Sequence, residues 1–209
     1  MNQTTSTSSI PDFDTAISEA HTQHDQSLRE LSEAGPLLIV FLRHLGCTFC
    51  REAVADIAKQ RKEIEADGTQ ICFVYMPHHN KDESAGSDAA SAFFEKYGVA
   101  DVHRIADPTQ TLYQAFELRR GSIRELFGLK VWWRGFIATA FGLHMVGRMV
   151  GDGFQMPGVF LIRDGKIERA YRHQTAADRP NYCQLASPPD ETPQQRLHNF
   201  QMKQSSKGA

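Results

Sequence analysis

Leu37-Leu38-Ile39-Val40-Phe41-Leu42 is a continuous apolar run. A run this short makes no helix by itself, and with no polar alternation neither of its faces meets water, so it reads as a strand covered on both sides. Such a strand commits the chain to layers, with helices above and below a sheet. The next segments agree. Residues 48–66 place Ala53, Val54, Ile57, Ala58 and Ile64 at helical spacing with Gly68 as the stop, and residues 71–76 form a second buried strand.

Further along, residues 89–97 read as a helix that Gly98 ends, Ile105 and Ala106 as a short third strand, and Pro108 as the first turn of a helix reaching Leu118. Upstream, Asp12 or Asp14 caps one helix running toward Ala34, with sparse apolar positions at Ile17, Leu28 and Leu31, until Gly35-Pro36 ends it. Residues 158–163 and 166–171 are strands joined by Asp164-Gly165, a hairpin signal. The alternation predicts an α/β fold: a mixed sheet with helices on both sides.

The ends and one interior stretch break this pattern. Residues 1–10 are a polar tail, residues 11–185 the domain, and residues 186–209, with Pro188, Pro189 and Pro193, a second flexible tail. Residues 119–153 interleave Arg119, Arg120, Arg124 and Arg134 with Phe127, Trp132 and Trp133, and read as a helical insertion. The apolar stretch at 131–150 contains Arg134, His144 and Arg148, so no transmembrane segment is expected. With 23 Lys plus Arg against 25 Asp plus Glu the net charge is -2, which implies no general attraction to nucleic acid. No signal or transit peptide is legible at the start, so the cytoplasm is the expected setting.

The chemistry gathers at Arg43-His44-Leu45-Gly46-Cys47-Thr48-Phe49-Cys50. Two thiols three apart, where a buried strand turns into a helix, can close a small disulfide ring, and the unpaired N–H groups of the helix start favour a thiolate. Cys47, nearer the turn, is expected to attack, and Cys50, one turn inside, to resolve. Arg43 can add positive potential or be a solvated surface residue; His44 can serve acid-base needs or simply pack against the turn. Thr48 and Phe49 fill the ring and tune its potential. A zinc site completed by His44 and His78 or His79 is the competing reading, but no second Cys-x-x-Cys accompanies the pair, and neither metal nor organic cofactor is expected. Cys72 is a core residue; Cys183 is a bystander or a late resolving partner.

A second element, Gln155-Met156-Pro157-Gly158-Val159-Phe160, puts a proline directly before a strand, where it either opens an edge strand or is cis.

Together, the strand-Cys-x-x-Cys-helix unit and the later Met156-Pro157 before a hairpin resemble the thioredoxin fold, a three-layer α/β/α sandwich whose cis-proline loop faces the dithiol. The wider match, which also takes in Val131-Trp132-Trp133-Arg134-Gly135 and Asp178-Arg179-Pro180, is similar to the peroxiredoxin-like, selenoprotein-L-related branch of the alkyl hydroperoxide reductase and thiol-specific antioxidant (AhpC/TSA) family. The resemblance implies a thiol-dependent oxidoreductase with a disulfide or peroxide substrate and a thiol electron donor. Two departures bear on which. Typical peroxiredoxins read Pro-x-x-x-Thr-x-x-Cys; aligning their peroxidatic cysteine with Cys50 puts Arg43 at the proline and Cys47 at the threonine. They also carry an arginine where Pro157 stands. Both departures favour disulfide exchange, with a Cys50 peroxidase as the other outcome. A thioredoxin-fold module that docks a partner or membrane surface through residues 119–153 is the alternative from a different class. The oligomeric state is left open.

Overall fold

The computed structural model describes residues 12–77, 83–121, 155–175 and 177–187. Both expected tails beyond residues 12 and 187, and the insertion beyond residue 121, lie outside the described residues, as do His78 and His79.

The elements run α1 (Phe13–Glu19), α2 (Leu28–Ala34), β1 (Leu37–His44), α3 (Thr48–Ile64) with a 3-10 turn (Glu65–Asp67), β2 (Gln70–Met76), α4 (Glu83–Lys96), β3 (His103–Ala106), α5 (Thr111–Ala115), β4 (Gly158–Arg163), β5 (Lys166–Arg172) and α6 (Tyr182–Ala186). The described strands form a five-stranded sheet in the order β3-β2-β1-β4-β5. β1 pairs parallel with β2, in the register Leu38 to Ile71, and antiparallel with β4, Leu38 to Leu161; β3 is parallel to β2 and β5 antiparallel to β4.

All eight residues of β1 are buried, as the apolar run requires of a central strand. Successive side chains point to opposite faces. Leu38, Val40 and Leu42 join a core with Val54 and Ile57 of α3, Phe94 of α4 and Tyr182 of α6. Leu37, Ile39 and Phe41 join a second core with Ile17, Leu28, Tyr113 and Phe160. Phe41 there meets the rings of Tyr113, Phe116 and Phe160 at centroid distances of 5.0, 4.9 and 5.6 Å. The result is the expected three-layer α/β/α sandwich. The hairpin turn is as read, with Asp164 and Gly165 both at positive φ, 48° and 68°.

Several expectations are corrected. The single N-terminal helix is two helices, because Ser27 opens a new one with a capping box: its hydroxyl accepts from the Glu30 N–H and the Glu30 carboxylate accepts from the Ser27 N–H. Pro108 does not begin α5; the buried Asp107 carboxylate accepts from the Thr111 and Leu112 N–H groups and sets the start at Thr111. A further helix that the sequence reading did not place, α6 at Tyr182–Ala186, packs on α3.

The proline loop also differs from the expectation. No peptide bond among the described residues is cis, so Met156-Pro157 is trans, the ground state by about 0.5–1 kcal/mol. Nor does Pro157 open an edge strand, since β4 lies between β1 and β5. It stands one residue before β4, where no ladder donor is lost, and its carbonyl accepts the His173 N–H at 3.3 Å. The Met156 N–H in turn donates to the Arg119 carbonyl at 3.1 Å, which holds the loop extended.

Candidate active site at the start of α3

Arg43 and His44 are the last residues of β1, and Leu45-Gly46 turn the chain into α3. The Cys47 N–H donates to the His44 carbonyl at 3.0 Å, closing the turn, and the Arg51 N–H donates to the Cys47 carbonyl at 3.1 Å, beginning the helix. Cys47 is therefore the N-cap. Its side chain makes no capping hydrogen bond, so the helix start retains donors that favour charge on the sulfur.

Both thiols are reduced and buried, Cys47 8% exposed and Cys50 3%. The Arg43 N–H donates to Cys50 Sγ at 3.1 Å, and Arg43 Nη1 lies 3.7 Å from Cys47 Sγ. Arg43 is thus turned inward and buried rather than solvated. Its guanidinium supplies positive charge beside the thiol from the position where typical peroxiredoxins have proline.

The environments drive the two acidities apart. A hydrogen bond from the Cys50 thiol, the Arg43 charge and the Cys50 and Phe49 backbone outweigh burial and push Cys47 down to about 6. Burial and the neighbouring Cys47 hold Cys50 well above the ordinary thiol range. The arrangement thus favours charge on Cys47 and a proton on Cys50.

Of the supporting residues expected from sequence, His44 is buried at the strand end and contributes its carbonyl to the turn. Thr48 is buried at the first helical position. Phe49 packs against buried Met156, bringing the proline loop to the site. Pro157 lines a cleft with Phe49 and Cys50.

The remaining cysteines stand apart. Cys72 faces the opposite core, where burial raises its pKa. Cys183 is buried on α6 and donates to Gln60 Oε1 at 3.1 Å. Among the described residues no three metal-ligating side chains gather, and no helix is long and apolar enough to cross a membrane.

Sequence reasoning missed the far wall of the Cys50 cleft, which is built from His173, Asp178, Arg179 and Tyr182. An ion pair from Arg179 to Asp56 of α3 fastens this wall to the helix. The Asp178-Arg179-Pro180 turn was the one local signal in that segment, and it carries no chemistry until the fold sets it opposite a thiol.

The family model described as AhpC/TSA antioxidant enzyme matches residues 56–176. That span is more than half of the chain and begins beyond both Cys47 and Cys50. Peroxiredoxin-like 2A of Mus musculus is 26% identical over 155 residues, 73% of this chain and 65% of the relative. The Homo sapiens protein of the same name is 25% identical over 155 residues, 73% of this chain and 62% of the relative. The chain thus spans less than two thirds of the length of these curated relatives. Among solved structures, peroxiredoxin 6 of Arenicola marina matches with a TM-score of 0.54 at 12% identity, covering 83% of this chain and 76% of that one. A yeast mitochondrial 1-Cys peroxiredoxin matches with a TM-score of 0.52 at 11% identity, covering 83% and 78%. These likenesses establish the fold as the thioredoxin-like one of the peroxiredoxins, and the chain belongs to the AhpC/TSA antioxidant enzyme family.

Proposed function

We propose that this chain is a thiol-disulfide oxidoreductase working through Cys47 and Cys50. The Cys47 thiolate attacks one sulfur of a substrate disulfide, displacing the other as a thiolate. Cys50 then attacks Cys47 Sγ, releases the second substrate thiol and leaves a Cys47–Cys50 disulfide, which a thiol donor reduces. The carrying observation is the placement of the pair at the helix start, with Cys47 at the N-cap 3.7 Å from Arg43 Nη1 and Cys50 buried one turn inside, surroundings that push Cys47 down to about 6 and Cys50 up. An attacking thiol works best with a pKa near ambient pH, where it is both ionised and still nucleophilic. Arg43, 3.7 Å from Cys47 Sγ, offsets the cost of burying that charge. Met156 and Pro157, packed on Phe49 and beside Cys50, form the wall along which a substrate backbone lies. The reading includes the cytoplasmic setting expected from the sequence, where thiol donors can regenerate the dithiol.

Membership of an antioxidant enzyme family favours peroxide as a second oxidant. Cys50 in the peroxidatic position is poorly suited to it, because burial holds its proton. Stopped-flow reaction of the reduced protein with hydrogen peroxide and with a disulfide, repeated on Cys47→Ser and Cys50→Ser, separates the two. Fast disulfide exchange that requires Cys47, with peroxide consumed at the rate of an ordinary thiol, is the expected result. Rapid peroxide consumption abolished only by Cys50→Ser would assign a peroxidase instead.

A further inference from the structure

Between the Phe41–Val74 and His44–Met76 pairs β1 advances three residues while β2 advances two, which makes a bulge at Leu42 and Arg43, just before the turn into α3. A bulge takes backbone groups out of the ladder, and buried ones need other partners. The Leu42 carbonyl accepts from the hydroxyl of Tyr113, a fully buried residue of α5 whose oxygen also lies 3.3 Å from the Val74 carbonyl. Satisfying those carbonyls would by itself account for a tyrosine here. The other end of the same peptide group reaches the site: its N–H, that of Arg43, donates to Cys50 Sγ at 3.1 Å.

In a trans peptide the C=O and N–H share one plane and point opposite ways. The Leu42–Arg43 group therefore accepts from Tyr113, in the core on one face of the sheet, and donates to Cys50, in the core on the other. Turning that plane would break both bonds together. The bond to the carbonyl also polarises the group and makes its N–H a stronger donor. Tyr113 is itself firmly held: the Asp107 carboxylate accepts from the Leu112 N–H at 2.8 Å and the Tyr113 N–H at 3.4 Å, and the Tyr113 ring meets Phe41 edge-on at 5.0 Å. Burial, with Asp107 and Cys50 nearby, keeps its hydroxyl well above the ordinary phenol range, so it stays a donor.

We propose that Tyr113 is a positioning residue for the resolving thiol, its hydroxyl holding the Leu42–Arg43 peptide so that the Arg43 N–H stays aimed at Cys50 Sγ; the inference rests on the dithiol reading above. In the mixed disulfide Cys47 no longer carries charge, and the Arg43 guanidinium and N–H favour a Cys50 thiolate against its burial. Cys50 gives its proton to a solvent base and its sulfur bonds to Cys47 Sγ as the bond from Cys47 to the substrate sulfur breaks. The substrate leaves as a thiolate with the electron pair. Over both steps the Cys47–Cys50 pair loses two electrons and the substrate disulfide gains two. Glu52, His173, Asp178, Arg179 and Tyr182 line the cleft beside Cys50, and replacing Tyr113 alters none of them.

One equivalent of the aryl disulfide dithiobis(nitrobenzoate) reports both steps, because each displaced arylthiolate absorbs visible light: the first release is Cys47 attack, the second Cys50 resolution. Losing an N–H bond to a charged sulfur corresponds to about 1–2 pKa units, of which roughly half is returned as nucleophilicity. In Tyr113→Phe the first phase is expected to hold its rate to within about twofold while the second slows by roughly three- to tenfold at neutral pH. The pH at which the second phase levels off should rise by about 1–2 units. An unchanged second phase in the folded variant, an equal slowing of both phases, or a slowing with no shift in the pH profile would overturn the role of Tyr113. If Tyr113→Phe does not fold, 3-fluorotyrosine introduced at residue 113 decides: its more acidic hydroxyl is a stronger donor and should speed the second phase, and no gain would overturn the proposal. Absence of the first phase in the unsubstituted protein would instead sink the dithiol reading itself.

Discussion

Replacing Cys50 with alanine removes the group whose hydrogen bond does most to lower the Cys47 pKa. A hydrogen bond to a charged partner contributes about 1.5–3 kcal/mol, and one pKa unit corresponds to about 1.4 kcal/mol. Losing it should raise Cys47 from about 6 by roughly one to two units. At pH 7 the thiolate fraction would then fall from roughly nine tenths to between one half and one tenth. Cys50→Ser retains an O–H donor at the same place and should leave Cys47 near its original value. Arg43→Met removes a charge 3.7 Å from the sulfur and should also raise the pKa, by roughly 1–3 units. The assay is the pH dependence of thiolate ultraviolet absorbance and of alkylation by iodoacetamide, with Cys47→Ser as the blank for Cys72 and Cys183. Agreement of Cys50→Ala with the unsubstituted protein to within about 0.3 unit would refute the claim that the Cys50 donor sets the acidity.

Three further outcomes concern stability. His173 is held down to about 4 from 6.5 by burial, so the unfolded chain binds the extra proton between those values; stability is complete above about pH 6.5 and falls as the pH drops toward 4, by on the order of 3 kcal/mol. Urea midpoints measured across that window should flatten in His173→Gln; an equal slope in both would exclude His173 as the source. Ser27→Ala, which breaks the capping box of α2, should cost about 1 kcal/mol in denaturant unfolding; no loss would mean that packing of Leu28 and Leu31 alone starts the helix. Gly158→Ala would set a Cβ 2.6 Å from Leu118 Cδ2 and 3.3 Å from the Tyr171 carbonyl. It should destabilise by about 1–3 kcal/mol, checked by thermal unfolding, and a neutral result would mean that Leu118 rotates clear.

Much of the scaffold was legible because its signals are local. The continuous apolar run at β1 can satisfy its side chains only between two layers, and the structure buries every residue of it. Asp164 and Gly165 tolerate the positive φ that a tight hairpin demands. The Cys47-to-Cys50 spacing after a buried strand reports a helix start whichever way the rest of the chain is packed. Where two local signals competed, reading by periodicity failed: Ile17, Leu28 and Leu31 suit one helix, yet Ser27 and Glu30 cap a second one inside it.

What the sequence by itself determined is the layered α/β frame and the presence of a dithiol at a strand-to-helix turn, since periodicity, turn chemistry and short spacings are encoded within a few residues. Tertiary structure alone decided how that dithiol is tuned. Whether Arg43 is solvated or lies 3.7 Å from Cys47 Sγ depends on what the end of β1 is packed against. The Met156-Pro157 loop is held by Arg119 and His173, partners distant in the chain. His173 carries no motif, and it comes to line the cleft that Cys50 also lines only when β5 pairs with β4 and α6 closes on α3. Charge, burial and proton affinity at a site belong to its three-dimensional surroundings, and those surroundings here are assembled from segments more than a hundred residues apart.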